Sequence, residues 1–517
     1  MQLLGEEGPW DTDTVSVTHK NRSRIGLLRA ALNAPCVCEM EGAGAPLRSL
    51  DWPKLLTLIA TAGLIPALLL QNAPPQSVTL TVDAGRVLRE GADHFVGINL
   101  NYIRDLDANR PKARPLEDAL KDLGVRWLRF PGGGKSDYHL WSEPPYDKPN
   151  PASLKWYAQQ AGVRMDFDQY MAVVRSVGAE PYIVVGYGKE ASTGRTKAQW
   201  LENAVAWVRY ANVVKKYGVK YWEIGNENWN NNKGGPTELA QIVTEFSRAM
   251  KAIDPTIQVG ASGNSDAWWS EFLPAAAPSL DFISLSHYDC WEWKSYDRFT
   301  QQPTPDLLGG ITTALKAIDR YAPVADRGRL RVIVAEINSE DFSKDGWLGA
   351  NTLGHALVTF DTLGRVMEQN RVLSAMVWTT RWMNDAEAWT SQWYALGPAN
   401  EILPTGRAIA LWGQFIQSEM VAVMGDQGTL TAYASRSEDG QKMSIWLLNR
   451  GYQPAKNVRV LVKSPTQYHE GVLYRLSGTD PDDANPNWGP IGRATLTTNT
   501  VDALLCPPVS VTVISLR

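Results

Sequence analysis

The stretch Tyr221-Trp222-Glu223-Ile224-Gly225-Asn226-Glu227-Asn228-Trp229 opens as a strand and closes as a polar loop rimmed by indole. Tyr221 to Ile224 is short, apolar and β-prone, with Glu223 as its one charge. Gly225 then breaks the strand, and Asn226 and Glu227 follow just past its end. A carboxyl at a strand end, between an amide and an indole, suits sugar chemistry. The amide can bind a hydroxyl, the carboxyl can move a proton, and the ring can stack on a sugar face. What Glu227 needs is a second carboxylate and a scaffold that brings the two together.

Outward from this stretch, the pattern from residue 88 to 417 alternates strand and helix, which predicts parallel βα units. Strands are expected at His94–Leu100, Val125–Phe130, Glu180–Val185, Tyr221–Ile224, Ile257–Gly260, Asp281–Leu285, Leu330–Val334 and Ala375–Trp378. Amphipathic stretches such as Phe167–Val177, Ala198–Lys216, Glu238–Ile253 and Leu353–Glu368 separate them. Eight such units predict an α/β fold, a closed (β/α)8 TIM barrel, whose active groups stand at the C-terminal strand ends. After residue 418 the texture changes to short alternating segments between turns, which predicts a C-terminal antiparallel β-sandwich over 418–517. Residues 77–87 are expected to add a strand to that sandwich.

The second carboxylate is Glu336, in Val332-Ile333-Val334-Ala335-Glu336-Ile337-Asn338. It ends the seventh strand, as Glu227 ends the fourth, so both belong to the barrel mouth. Hydrolysis of a glycoside requires such a pair: one acid protonates the leaving oxygen and the other attacks or activates water. A separation of about 5–5.5 Å goes with retention through a covalent intermediate. Glu223 lies inside the strand and is expected to face the barrel wall or interior.

Arg-Phe-Pro-Gly-Gly at 129–133, Tyr-Trp-Glu-Ile-Gly-Asn-Glu at 221–227 and Ala-Glu-Ile-Asn at 335–338 together resemble clan A glycoside hydrolases. The likeness is nearest to the α-L-arabinofuranosidases of family 51, with families 39 and 79 (xylosidase-like and heparanase-like) nearby. It covers the barrel and the trailing sandwich. The resemblance implies Glu227 as acid/base, Glu336 as nucleophile and Asn226 as ligand of the hydroxyl beside the reacting carbon. It also implies Arg129 near the nucleophile, with His287 and Tyr288 on the sixth strand. Asn99, Trp229 and Trp378 complete the expected substrate-binding set. The activity implied is retaining hydrolysis of O-glycosidic bonds in a plant-type or algal saccharide. The alternatives are a heparanase-like β-glucuronidase, with Lys135, Lys189, Lys294 or Arg381 holding the uronate, a xylosidase or endo-acting polysaccharide hydrolase of the same clan, and a barrel that binds carbohydrate without cleaving it.

Composition agrees. A net charge of −4 over 517 residues, with no basic run, argues against nucleic acid as a partner. Tryptophan is abundant, at 21 residues. Trp141, Trp229, Trp268, Trp269, Trp291, Trp293, Trp382 and Trp389 stand beside polar loop residues, as in a carbohydrate cleft. The four cysteines make no disulfide framework, and six scattered histidines make no metal cluster. No cofactor is expected. Gly134-Lys135-Ser136 fails as a phosphate loop because its first glycine would be Arg129. Gly186-Tyr187-Gly188 fails as a dinucleotide turn because position 191 is Ala.

Residues 1–52 read as an irregular tail and 53–76 as a hydrophobic segment with a linker. Leu55 to Leu70 is uncharged, mostly apolar and short for a membrane span, which suits the core of a signal peptide. Translation starting at Met40 would give it a normal leading segment. A single membrane anchor through 55–70 is the alternative, and either way the chain is expected to be exported.

Overall fold

The computed structural model describes residues 78–230, 233–339, 346–347, 351–383, 394–425 and 428–517. The expected tail and signal or anchor segment lie outside these residues, as does Trp389.

Eight parallel strands close into a barrel in chain order: Val96–Asn99, Trp127–Phe130, Glu180–Val185, Tyr221–Ile224, Gln258–Ser262, Phe282–Tyr288, Arg331–Asn338 and Val372–Val377. All but the strand-initial residues are buried in most of them, which is why these segments read as apolar runs and not as alternating ones. Trp127, Tyr182, Val184, Phe282, Ile333 and Met376 pack as one cluster. Gly260 makes room for it, because a Cβ there would come within 2.1 Å of the Phe282 ring.

The helices outside the barrel begin where the sequence provides caps. Asp166 and Gln169 form a capping box at Phe167–Val177, and Thr196 and Gln199 form another at Lys197–Val208. Gly178 ends the first of these in a left-handed conformation. The helix expected over Ala198–Lys216 changes register instead, continuing after Val208 as the π-turn Arg209–Val214.

The second sheet has ten strands and is mostly antiparallel. Its core draws on Leu80, Val82, Ile445, Leu447, Val460, Val501 and Ile514, so the sheet curls over a core of its own. Thr79–Glu90 lies inside it, antiparallel to Glu419–Met424 and parallel to Ala455–Lys463. Glu419–Met424, Asn487–Ala494 and Thr500–Cys506 are strands that the alternation of residues did not disclose. The fold class is therefore the expected one, a TIM barrel with a β-sandwich after it.

Candidate active site

Arg129 is the hub of the site. It ends the second barrel strand beside Asn99 of the first, and it is buried. Nη1 donates to Glu336 Oε1 at 2.9 Å and to Asn99 Oδ1 at 3.0 Å. Nη2 donates to Glu223 Oε2 and to Asn226 Oδ1, both at 2.8 Å, and Nε donates to Glu223 at 3.2 Å. Burial alone would weaken the guanidinium's hold on its proton, but the charges of Glu223 and Glu336 outweigh it and raise the pKa. Glu223 therefore fixes Arg129, and Arg129 aims both Glu336 and Asn226. With Asn226 Oδ1 engaged, its Nδ2 is a buried donor with no partner among the described residues.

The other oxygen of Glu336 accepts from the Tyr288 hydroxyl at 2.7 Å. Burial, then the Glu336 charge, push the phenol pKa well up, so Tyr288 keeps its proton and donates it. Asn99 completes the frame by donating to the Ala335 carbonyl at 2.8 Å.

Glu227 adopts φ 42°, in the left-handed region where side chains other than Gly seldom stand. Its carboxyl is pushed up to about 7, first by burial and next by the charge on Glu336. A hydrogen bond from Ser286 and the charges of Lys233 and Arg129 oppose the rise. Two carboxyls thus sit in one electrostatic field with different tasks: one shares its charge with Arg129, the other tends to keep its proton.

The Glu227 turn is tied down from the second strand. Asp137, on the turn Gly134–Tyr138, accepts from the Asn226 amide at 3.0 Å. Lys233 pairs with Asp137 at 2.5 Å and donates to the Asn226 carbonyl. All three residues are buried.

Of the expected substrate-binding residues, Asn99, Arg129, Asn226 and Tyr288 converge with Glu336. His287 does not. Strand alternation sends Ser284, Ser286 and Tyr288 to one face and His287 to the other, where Nε2 meets the Leu307 carbonyl at 2.9 Å. Trp378 covers the glycine turn: a Cβ on Gly133 would come within 2.0 Å of its ring. Trp229 is half-buried two residues past Glu227 and takes no part in the Arg129 network. Trp141 and Trp269 are core residues and do not line a cleft. Arg381 is consumed by Asp105 and Asn400, and Lys189 pairs with Glu238 at 3.6 Å.

Sequence reasoning missed Ser286, Asp137 and Lys233. The alternation Ser284, Ser286, Tyr288 was a usable signal for the first. Nothing local marks the other two, whose pairing spans the turn after one strand and the loop after another.

Residues 119–303 match a family model described as the alpha-L-arabinofuranosidase 1 domain. A probable alpha-L-arabinofuranosidase C of Aspergillus fumigatus is 27% identical over 213 residues, 34% of this chain and 39% of that protein. An intracellular exo-alpha-(1->5)-L-arabinofuranosidase of Streptomyces lividans is 27% identical over 192 residues, 33% of this chain and 29% of that protein. The chain thus spans 39% or less of the length of these curated relatives. The crystal structure of alpha-L-arabinofuranosidase from Thermotoga maritima, an arabinose complex, shares the fold with a TM-score of 0.69. It is 21% identical, and the match covers 85% of this chain and 99% of that one.

The chain is similar to the clan A glycoside hydrolases, and among them to those of family 51.

The kinship corrects one expectation. The relatives whose names state a compartment, that of Streptomyces lividans and a second of the same printed name, are intracellular, so the expected export is not upheld. No helix among the described residues is long and apolar enough to cross a membrane.

Proposed function

We propose that the chain is a retaining O-glycosyl hydrolase of the α-L-arabinofuranosidase-like kind, acting on an oligosaccharide or polysaccharide by double displacement. One observation carries the reading: Arg129 holds Glu336 and Asn226 together while the neighbouring Glu227 has its carboxyl raised to about 7. Glu336 attacks the anomeric carbon, and Glu227 gives its proton to the leaving oxygen. The departing alcohol takes the electron pair of the broken bond, and the sugar stays on Glu336 as an ester. That ester removes the charge that had been raising Glu227, so Glu227 releases its proton more readily. It then takes a proton from water, whose oxygen attacks the same carbon and frees Glu336. Two inversions give net retention. Arg129 and Tyr288 stabilise the carboxylate of Glu336 before attack and again as it leaves. The Nδ2 of Asn226, which has no partner among the described residues, is placed to donate to the hydroxyl next to the reacting carbon.

The names of the relatives favour an arabinofuranoside as the sugar. A panel of aryl arabinofuranosides, xylosides, galactosides and glucuronides tests the reading, together with Glu227→Gln and Glu336→Ala. Turnover is expected to fall by about 10²–10⁴-fold in Glu227→Gln with a poor leaving group. A 2-fluoro glycoside should leave its sugar on the peptide that carries Glu336, read by mass spectrometry. Turnover that survives both substitutions, or a label elsewhere, overturns the assignment. Sugar binding without turnover in the wild type would make the barrel a binding module.

A further inference from the structure

Asn226 meets a charged side chain at three of its polar atoms. Its amide donates to Asp137 Oδ1 at 3.0 Å, its carbonyl accepts from Lys233 Nζ, and its Oδ1 accepts from Arg129. That carbonyl belongs to the peptide bond that leads into Glu227. The carbonyl of Glu227 in turn accepts from the Asn230 amide at 2.8 Å. A backbone at φ 42° persists only where its surroundings over-determine it, and these contacts supply the constraint.

A pair of neutral side chains would hold the turn without the cost of burying two charges. What a charge adds is a field, and Glu227 stands in it. The groups that face its carboxyl are Glu336 on the seventh strand, Arg129 on the second, Ser286 and Tyr288 on the sixth, and Lys233 on its own loop. The charge of Glu336 disfavours the ionised form of Glu227, whereas Lys233 first, and Arg129 after it, favour that form. Arg129 is committed to the carboxylates of Glu223 and Glu336. Lys233 pairs with Asp137 Oδ2 at 2.5 Å, while the other oxygen of Asp137 takes the Asn226 amide.

We propose that Lys233, steadied by Asp137, is a positioning residue that readies Glu227 for its second task, by keeping it a carboxylate while the sugar is joined to Glu336. This rests on the glycosidase reading above and deepens it. Once Glu227 has given its proton to the leaving oxygen, it must stay ionised until it takes a proton from the attacking water. The ester has by then removed the charge of Glu336, and Lys233 holds the new carboxylate against reprotonation from solvent. Without Lys233, Glu227 is protonated again near neutral pH, no base is left to activate water, and the sugar stays on Glu336.

The test uses the best aryl glycoside of the panel above, with a leaving group good enough that hydrolysis of the glycosyl-enzyme limits kcat. Then the acid limb of kcat reports Glu227 as base, and the alkaline limb of kcat/KM reports it as acid in the free enzyme. Lys233→Met is expected to move both limbs upward by about one pH unit or more. Below the shifted limb it should lower kcat and KM together and give a burst of nitrophenol, because the glycosyl-enzyme accumulates. Lys233→Arg should leave both limbs in place. Asp137→Asn leaves the field of the ammonium uncancelled and should move both limbs downward. A turn that is merely loosened loses rate and keeps its limbs; that result in Lys233→Met overturns the proposal. Limbs that stay in place in Asp137→Asn do the same, and decide the matter where Lys233→Met does not fold. The titration of Glu227 is also followed without substrate, by the carboxyl resonance of carbon-13 glutamate assigned through Glu227→Gln. A resonance that titrates higher in Lys233→Met, in a protein that turns over no glycoside, upholds the role of Lys233 and sinks the glycosidase reading. Turnover with the sugar trapped on Glu336, but a resonance that Lys233→Met leaves unmoved, does the reverse.

Discussion

Glu227 combines a backbone of φ 42° with a carboxyl raised to about 7 from 4.5. Both belong to a residue whose place is set by its surroundings and not by its own preference. The shift has a consequence for stability. A raised carboxyl means that the folded state favours the protonated form. Its stability contribution is full below the usual carboxylate value and is lost as pH rises through about 7. Gln stays neutral at every pH. Glu227→Gln is therefore expected to be more stable than the wild type by on the order of 3 kcal/mol at pH 8, and by less than about 1 kcal/mol at pH 5. Thermal unfolding at the two pH values checks it, and a gain that does not grow with pH would sink the idea. The same ionisation should give wild-type activity an alkaline limb near pH 7, absent from Glu227→Gln. At this scale the sequence was informative about Glu227, Glu336 and Arg129, because each ends a recognisable strand. Apart from the resemblance, which implies Arg129 near Glu336, it was silent on what each one touches. Glu223 reads as a wall residue from its position, yet its carboxylate is what holds Arg129. That contact spans 94 residues, and no local pattern records it.

The turn that carries Glu227 is held as an element by the turn that follows the second strand. Asp137 and Lys233 form a buried ion pair there, and each also binds the backbone of Asn226. Burial raises the Asp137 pKa, while Lys233 and the Asn226 amide hold it down. Removing one partner leaves the other as an unpaired buried charge. Lys233→Met is expected to cost about 3–5 kcal/mol, and the double change with Asp137→Asn to cost less than the two singles summed. Chemical denaturation of the three variants measures the coupling, and strict additivity would mean that the pair does not hold the turn. The barrel strands were legible as elements because burial on both faces makes them continuous apolar runs. The strands Asn487–Ala494 and Thr500–Cys506 were not. The first is mostly exposed and contains Gly489, Pro490 and Gly492, residues that mark turns more often than strands. Pairing with Gly471–Ser477 overrides that preference.

One face of the sandwich sheet covers its own core, and the other joins the core of the barrel. Trp412 of the helix Pro404–Gly413 stacks on Phe360 at 4.8 Å and lies 4.5 Å from Trp446 of the sandwich. Trp446 Nε1 donates to the Leu411 carbonyl at 2.9 Å, and the Tyr433 hydroxyl donates to the Asp361 carbonyl at 3.1 Å. Tyr433, Trp446, Leu448, Val511 and Val513 belong to the same apolar cluster as the barrel helices. An apolar contact of this kind couples the unfolding of the two domains. Thr79–Glu90 adds a second constraint, because it precedes the barrel in the chain and yet is an interior strand of the sandwich sheet. The sandwich cannot be completed by residues 418–517 without it. We expect calorimetry of the full chain to give one unfolding transition. Deleting residues 78–90 should split the sheet between Glu419–Met424 and Ala455–Lys463, exposing Leu80, Val82 and their partners and lowering soluble yield. Two well-separated transitions in the full chain, or a soluble and active protein lacking residues 78–90, would show that the sandwich does not support the barrel. The active site would feel the loss through the helix Leu353–Met367, which follows the Glu336 strand and packs on Pro404–Gly413, so activity should fall with the transition and not before it.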